Sequence, residues 1–206
     1  MSKCKEHDYI TDFVPKLTGL DSADKAELAL FNAGSGFKAF NDYISSDDVQ
    51  EDSEAGRGTT HLIWDIISDS HRELVAYFTL CVNVIPYDDG IYADPQICDY
   101  PSIPVLEIKM FAVSEKYQDV FFKKDGVDMP ISAWCLRSII SYADIISRRI
   151  AGVKALLLHS VPTAEQFYYT NGFRFTPTSA RLLYSVDSDF KAMWLPIREC
   201  NIPYDA

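Results

Sequence analysis

The feature that most restricts what this chain can fold into is a strand–helix–strand run in its second half. Over residues 105–113, Leu106, Ile108, Met110 and Ala112 alternate with Val105, Glu107, Lys109 and Phe111, the two-residue period of a strand. From about 130 to 150, Leu136, Ile139, Ile140, Ala143, Ile146 and Ile150 recur at three- and four-residue spacing. That is the apolar stripe of an amphipathic helix, with Asp128 suited to its N-cap and Pro130 to its first turn. Gly152 ends the helix, and residues 153–159 (VKALLLH) read as a buried strand. A helix linking two strands of one sheet makes those strands parallel.

Upstream, residues 59–67 and 74–84 are β-rich and separated by the polar SDSHRE, which reads as an antiparallel hairpin. A hairpin followed by a crossover requires a mixed central sheet flanked by helices, an α/β (α+β) fold. Before the hairpin, Asp21 caps a helix running to about Phe31, and Asp24 favours its N-terminal end. Gly34-Ser35-Gly36 breaks it, and Phe37, Phe40, Tyr43 and Ile44 then mark a second short helix with an aromatic inner face. The remaining acidic segment, up to Gly58, reads as a loop. A long connection over 85–104 precedes the strand at 105. A helix around 164–170, a turn at Asn171-Gly172, and strands near 173–175 and 181–186 complete the pattern. With no repeats and no interdomain linker, the 206 residues are expected to form a single domain over 1–206.

The net charge of −11 disfavours nucleic acid as a general partner. It is unevenly spread. Asp42, Asp47, Asp48, Glu51, Asp52 and Glu54 form one acidic stretch, and Asp88, Asp89, Asp94 and Asp99 a second, whereas residues 109–154 carry eight bases against five acids. An electropositive middle suits a phosphate-rich ligand. The five cysteines (Cys4, Cys81, Cys98, Cys135, Cys200) contain no CxxC pair, and the four histidines (His7, His61, His71, His159) are dispersed, so neither a disulfide framework nor a metal site is expected. No stretch approaches the roughly 18–20 apolar residues of a membrane span. The N-terminus lacks the apolar core of a signal peptide, which makes a cytoplasmic location the expectation.

Several segments resemble the GNAT N-acetyltransferases. AEQFYYTNGF (164–173) resembles their A-x-x-F-Y-x-x-x-G-F signature. IPVLEIKMFAV (103–113) resembles the strand before their pyrophosphate loop, especially in the toxin-like subgroup that acetylates aminoacyl-tRNA. GVKALLLH (152–159) and Phe31-x-x-Gly34 are also similar to that subgroup, so the resemblance covers roughly residues 28–186. It implies a GNAT fold, acetyl-CoA as co-substrate, and direct attack of a primary amine on the thioester. The backbone N–H groups of Phe111, Ala112 and Val113 would face the thioester carbonyl, where negative charge develops. Gln118 and the helix start at Ile131, Ser132, Ala133 and Trp134 would meet the pyrophosphate. Tyr168 would protonate the departing thiolate. Glu107 is a candidate general base on its own chemistry, since the toxin subgroup has an apolar residue there.

The resemblance breaks at the family's Q/R-x-x-G-x-G/A loop. Here Gln118 is followed by Asp-Val-Phe-Phe-Lys-Lys-Asp-Gly126-Val-Asp-Met-Pro, without a glycine pair and with an insertion of about nine residues before the helix. Lys123 and Lys124 are candidates to replace the phosphate contacts. The alternative is a GNAT-fold binding or regulatory protein that has lost acetyl-CoA. The acceptor amine would be a small molecule, a protein or aminoacyl-tRNA, and the acidic stretches suit a cationic one. Residues 187–206, with Phe190, Met193, Trp194 and Leu195, either cover the sheet edge or pair with a second subunit in a homodimer.

Overall fold

A computed structural model describes residues 8–21, 24–86, 102–176 and 189–197. Its strands are β1 (Asp8–Ile10), β2 (Pro15–Gly19), β3 (Thr59–Ser68), β4 (His71–Pro86), β5 (Ser102–Val113), β6 (Val120–Lys124), β7 (Val127–Pro130), β8 (Ala155–Ser160), β9 (Arg174–Phe175) and β10 (Lys191–Pro196). Its α-helices are α1 (Lys25–Leu28), α2 (Lys38–Ser45), α3 (Asp48–Glu54), α4 (Ile131–Ile146) and α5 (Glu165–Thr170). One mixed sheet has the order β2-β3-β4-β5-β8-β10-β9, and a second has β1-β6-β7. The crossover is present: β5 runs parallel to β8, in register from Val105↔Ala155 to Ile108↔Leu158, with α4 between them in sequence. β3 and β4 are sheet neighbours joined by the two-residue turn Asp69-Ser70, so they form the expected hairpin, longer than the sequence marked.

The residues fall into two compact units, one of Met1–Thr79 with Met110–Ser138 and one of Leu80–Lys109 with Ile139–Ala206. The first has an aromatic core around the fully buried Trp64 and Tyr77, joined by Phe31, Tyr43, Ile44 and Leu62. Both large rings satisfy their polar tips, the Trp64 indole N–H on Thr18 Oγ1 at 3.0 Å and the Tyr77 hydroxyl on the Phe40 carbonyl at 2.7 Å. The helix expected from Asp21 to Phe31 is only the single turn α1. Asp24 is buried by its 2.6 Å pair with Arg72, and the chain leaves the helix so that Phe31 and Ala33 enter the core.

The acidic segment expected as a loop contains α3. Its Val49 and Asp52, three residues apart, are buried on one side; Asp52 accepts hydrogen bonds from Tyr43 at 3.2 Å and Arg57 at 2.7 Å. The insertion after Gln118 is a hairpin. β6 pairs antiparallel with β7, and β1 lies parallel to β6. Its turn, Asp125-Gly126, has positive φ at both residues (54° and 80°), the backbone that an Asp-Gly pair favours. Asp128 is therefore not an N-cap. It lies in β7, where its carboxylate accepts the Tyr9 hydroxyl at 3.1 Å, and Pro130 is the last residue of β7, opposite Phe121. The helix starts one residue later than expected, at Ile131.

In the second unit, Ile85, Val105, Ala155 and Leu157 form a buried cluster with Ile103, Ala192 and Trp194 packed on it. β10, which the sequence did not mark as a strand, pairs antiparallel with β8 from Lys191↔Ser160 to Pro196↔Ala155, and β9 pairs with β10. Residues 191–196 thus cover the β8 edge within the chain itself. α4 passes after Ile146 into a π-helical turn, Ser147–Ala151, which ends at Gly152 with φ 59°. The expected strand at 181–186, most of the 85–104 connection, the second acidic stretch, His7, and Cys4, Cys98 and Cys200 lie outside the described residues. Among the described residues no helix is long and apolar enough to cross a membrane, and no three His, Cys, Asp or Glu side chains are grouped as for a metal.

Candidate functional site

The registered pairing of β5 with β8 stops at Ile108↔Leu158, although β5 continues to Val113 and β8 to Ser160. β5 therefore continues for five residues, Lys109–Val113, with no registered β8 partner. Phe111, Ala112 and Val113 are among them; Ala112 and Val113 are buried, and Phe111 is half-buried. The next residue, Ser114, gives its N–H to the Val75 carbonyl at 2.8 Å.

Just before the pairing stops, strand alternation puts Glu107 on the same face as Val105. Its in-register neighbour is Leu157, and His159 lies two residues further along β8. Glu107 Oε2 accepts the Asn83 amide at 2.6 Å and faces the Cys81 thiol at 3.7 Å, while Oε1 lies 3.2 Å from His159 Nδ1. The Glu107 and His159 side chains are each only 14% exposed. Burial by itself would push the Glu107 carboxyl up. The bonds from His159 and Asn83 outweigh it and hold the carboxyl below its ordinary range. His159 Nε2 is buried and has no hydrogen-bond partner among the described residues. The sequence singles out Glu107, whereas His159 reads only as one of four dispersed histidines, Cys81 as one of five scattered cysteines, and Asn83 carries no signal of its own. The available signal was an acid and a histidine set into otherwise apolar strands.

Tyr168 lies on α5 and is 9% exposed. Its ring packs edge-on against Phe167 at 5.3 Å and Phe173 at 5.7 Å. The chain reverses at Gly172 (φ 94°), which returns the Phe173 N–H to the Tyr168 carbonyl at 3.1 Å. The Tyr168 hydroxyl makes no hydrogen bond among the described residues. Burial pushes its pKa above the ordinary phenol value, so it keeps its proton at neutral pH.

The segment after β5 differs from a glycine loop. Gln118 Nε2 donates to the Ala33 and Val113 carbonyls, each at 2.9 Å, so its amide braces the start of the loop. The neighbouring Tyr117 is buried, with its hydroxyl donating to Glu73 at 2.8 Å. Where a phosphate loop would carry glycines, β6 presents Phe121, Phe122 and the exposed Lys123 and Lys124. At the start of α4, Ile131 and Ala133 are buried, and Ser132 and Trp134 are half-buried. The Trp134 ring stands edge-on to Phe13 at 5.6 Å and Phe122 at 6.4 Å, which makes it a packing residue of the first unit.

No protein-family model matches the chain, and no curated protein matches it in sequence. Solved structures do. A tyrosine-to-phenylalanine mutant of KacT superposes with a TM-score of 0.64 at 14% identity, over 90% of this chain and 96% of KacT. The AtaTR complex bound with acetyl-CoA gives 0.65 at 16% identity, over 90% of this chain and 95% of that one. AtaT complexed with acetyl-methionyl-tRNAfMet gives 0.63 at 17% identity, over 90% and 96%. These neighbours are GNAT-fold acetyltransferase toxins, and the chain described here has the GNAT fold.

Proposed function

We propose that this chain is an N-acetyltransferase that moves an acetyl group from acetyl-CoA to a primary amine by direct attack, without a covalent enzyme intermediate. The observation that carries the reading is the mid-strand end of β5–β8 pairing, in a fold whose neighbour AtaTR was solved with acetyl-CoA. In this reading the backbone N–H groups of Phe111–Val113 serve the thioester oxygen as charge develops there. Ile131, Ser132, Ala133 and Trp134 open the helix nearest the pyrophosphate, Gln118 holds the loop before it, and Lys123 and Lys124 supply charge in place of glycine backbone. The buried Tyr168 hydroxyl returns a proton to the thiolate, and the Glu107 cluster draws one from the amine. An aminoacyl-tRNA acceptor fits the AtaT neighbour; a cationic amine fits the net charge of −11.

The test is titration with acetyl-CoA followed by thiol release with polyamines, lysine peptides and aminoacyl-tRNA. Ligand at about 100 times its dissociation constant should stabilise the fold by about 2.7 kcal/mol. Tyr168→Phe should keep that binding and lose about 10²-fold in turnover. A second reading, a GNAT-fold binding protein without acetyl-CoA, is favoured by the Gln118 brace and the β6–β7 hairpin. Absence of any acetyl-CoA-dependent stabilisation would select it.

A further inference from the structure

The geometry points to His159 Nε2 as the atom that takes the proton from the acceptor amine, with Glu107 as the residue that positions the imidazole; this rests on the acetyltransferase reading above. Glu107 is already engaged by Asn83, Cys81 and His159, and its carboxyl is held below the ordinary range, which makes it a weak base. His159 presents the complementary case. Its Nδ1 faces Glu107 Oε1 at 3.2 Å, so in the neutral ring Nδ1 carries the proton and the lone pair sits on Nε2. That nitrogen is buried and has no hydrogen-bond partner among the described residues, an arrangement that is unfavourable unless a ligand or water occupies it. It also lies one residue beyond Leu158, the last β8 residue paired with β5.

The step balances. An ammonium acceptor gives one proton to Nε2 as, or before, its nitrogen attacks the acetyl-CoA carbonyl carbon. The N–C bond forms and the C–S bond breaks. The thiolate leaves with the Tyr168 proton. The nitrogen loses its second proton as the intermediate collapses, and that proton restores the tyrosine. The proton held on His159 passes to solvent, so one amine proton goes to the tyrosine and one is released. Among the described residues, the strands flanking His159 carry these charged or titratable groups. Glu107 and the exposed Lys109 come from β5 and Cys81 from β4. On β10 the in-register residue is the uncharged Ala192, next to Lys191, which pairs with Glu165 at 2.9 Å.

The test compares wild type, His159→Gln and Glu107→Gln by acetyl-CoA titration and by the pH dependence of thiol release with a polyamine and a lysine peptide. His159→Gln should bind acetyl-CoA within about twofold of wild type, lose about 10²-fold in kcat, and lose the acidic limb of the pH profile. Glu107→Gln should lose less in kcat and leave the neutral imidazole a mixture of its two tautomers, because the amide no longer fixes the proton on Nδ1. Nitrogen-15 NMR of the wild-type imidazole gives a readout that does not depend on the variants folding. It should show the proton on Nδ1 and the lone pair on Nε2. An unchanged limb in His159→Gln, or a wild-type proton on Nε2 of the neutral ring, would overturn the inference while leaving the acetyltransferase standing. A wild type that fails to bind acetyl-CoA, or binds it without turnover, would overturn both.

Discussion

Glu107 shows how single residues in this chain carry more than their type announces. Its carboxyl, normally near 4.5, is lowered despite burial, because hydrogen bonds from His159 and Asn83 favour the ionised form. A lowered folded value contributes stability that is complete above the unfolded pKa and is lost as pH falls through the folded one. Glu107→Gln should therefore cost about 1–3 kcal/mol at pH 7 and much less at pH 3. Urea unfolding at the two pH values measures it, and an equal loss at both would contradict the account. Gly152 is a simpler case. Its φ of 59° is left-handed and nothing lies within 4 Å of an added Cβ, so Gly152→Ala should cost only the backbone term, about 1–2 kcal/mol by the same measurement.

At the scale of elements, the segment that follows Gln118 is built by ordinary local rules. The β6–β7 hairpin has an Asp-Gly turn with two positive φ angles and turns Phe122 inward, against Phe13 at 4.9 Å. Gly126→Val should strain that turn by about 1–2 kcal/mol. It should also lower the protection of β6 and β7 amides in hydrogen exchange, while leaving β8 and β10 amides unchanged. α3 depends on one carboxylate. Asp52 joins Tyr43 and Arg57 and is 10% exposed, so Asp52→Ala should cost about 1–3 kcal/mol by denaturant unfolding, leaving a buried hydroxyl without its acceptor. Both elements were hidden in the sequence behind strong charge. The acidic run after Ile44 and the Lys123-Lys124-Asp125 triplet read as solvated loop, because their apolar contacts are short and come from distant residues.

At the scale of the whole chain, a net charge of −11 should show in kinetics. For a polyamine acceptor, kcat/KM should fall several-fold as salt rises from about 50 to 300 mM, since screening removes long-range attraction. A salt-independent value would argue against a cationic acceptor. The sequence by itself determined the crossover, the hairpin and hence the mixed sheet, because periods of two and of three to four residues dictate which face each element buries. It also marked Glu107 and Tyr168, since an acid in an apolar strand and the Phe-Tyr pair of a known signature are local features. Only the tertiary structure decided that His159, Asn83 and Cys81 converge on Glu107 and that Gln118 braces Ala33 and Val113. It alone placed β1 beside β6 and β10 beside β8. Apart from Gln118 with Val113, those contacts join residues tens of positions apart, and strand register, which no local pattern encodes, fixes which of them meet.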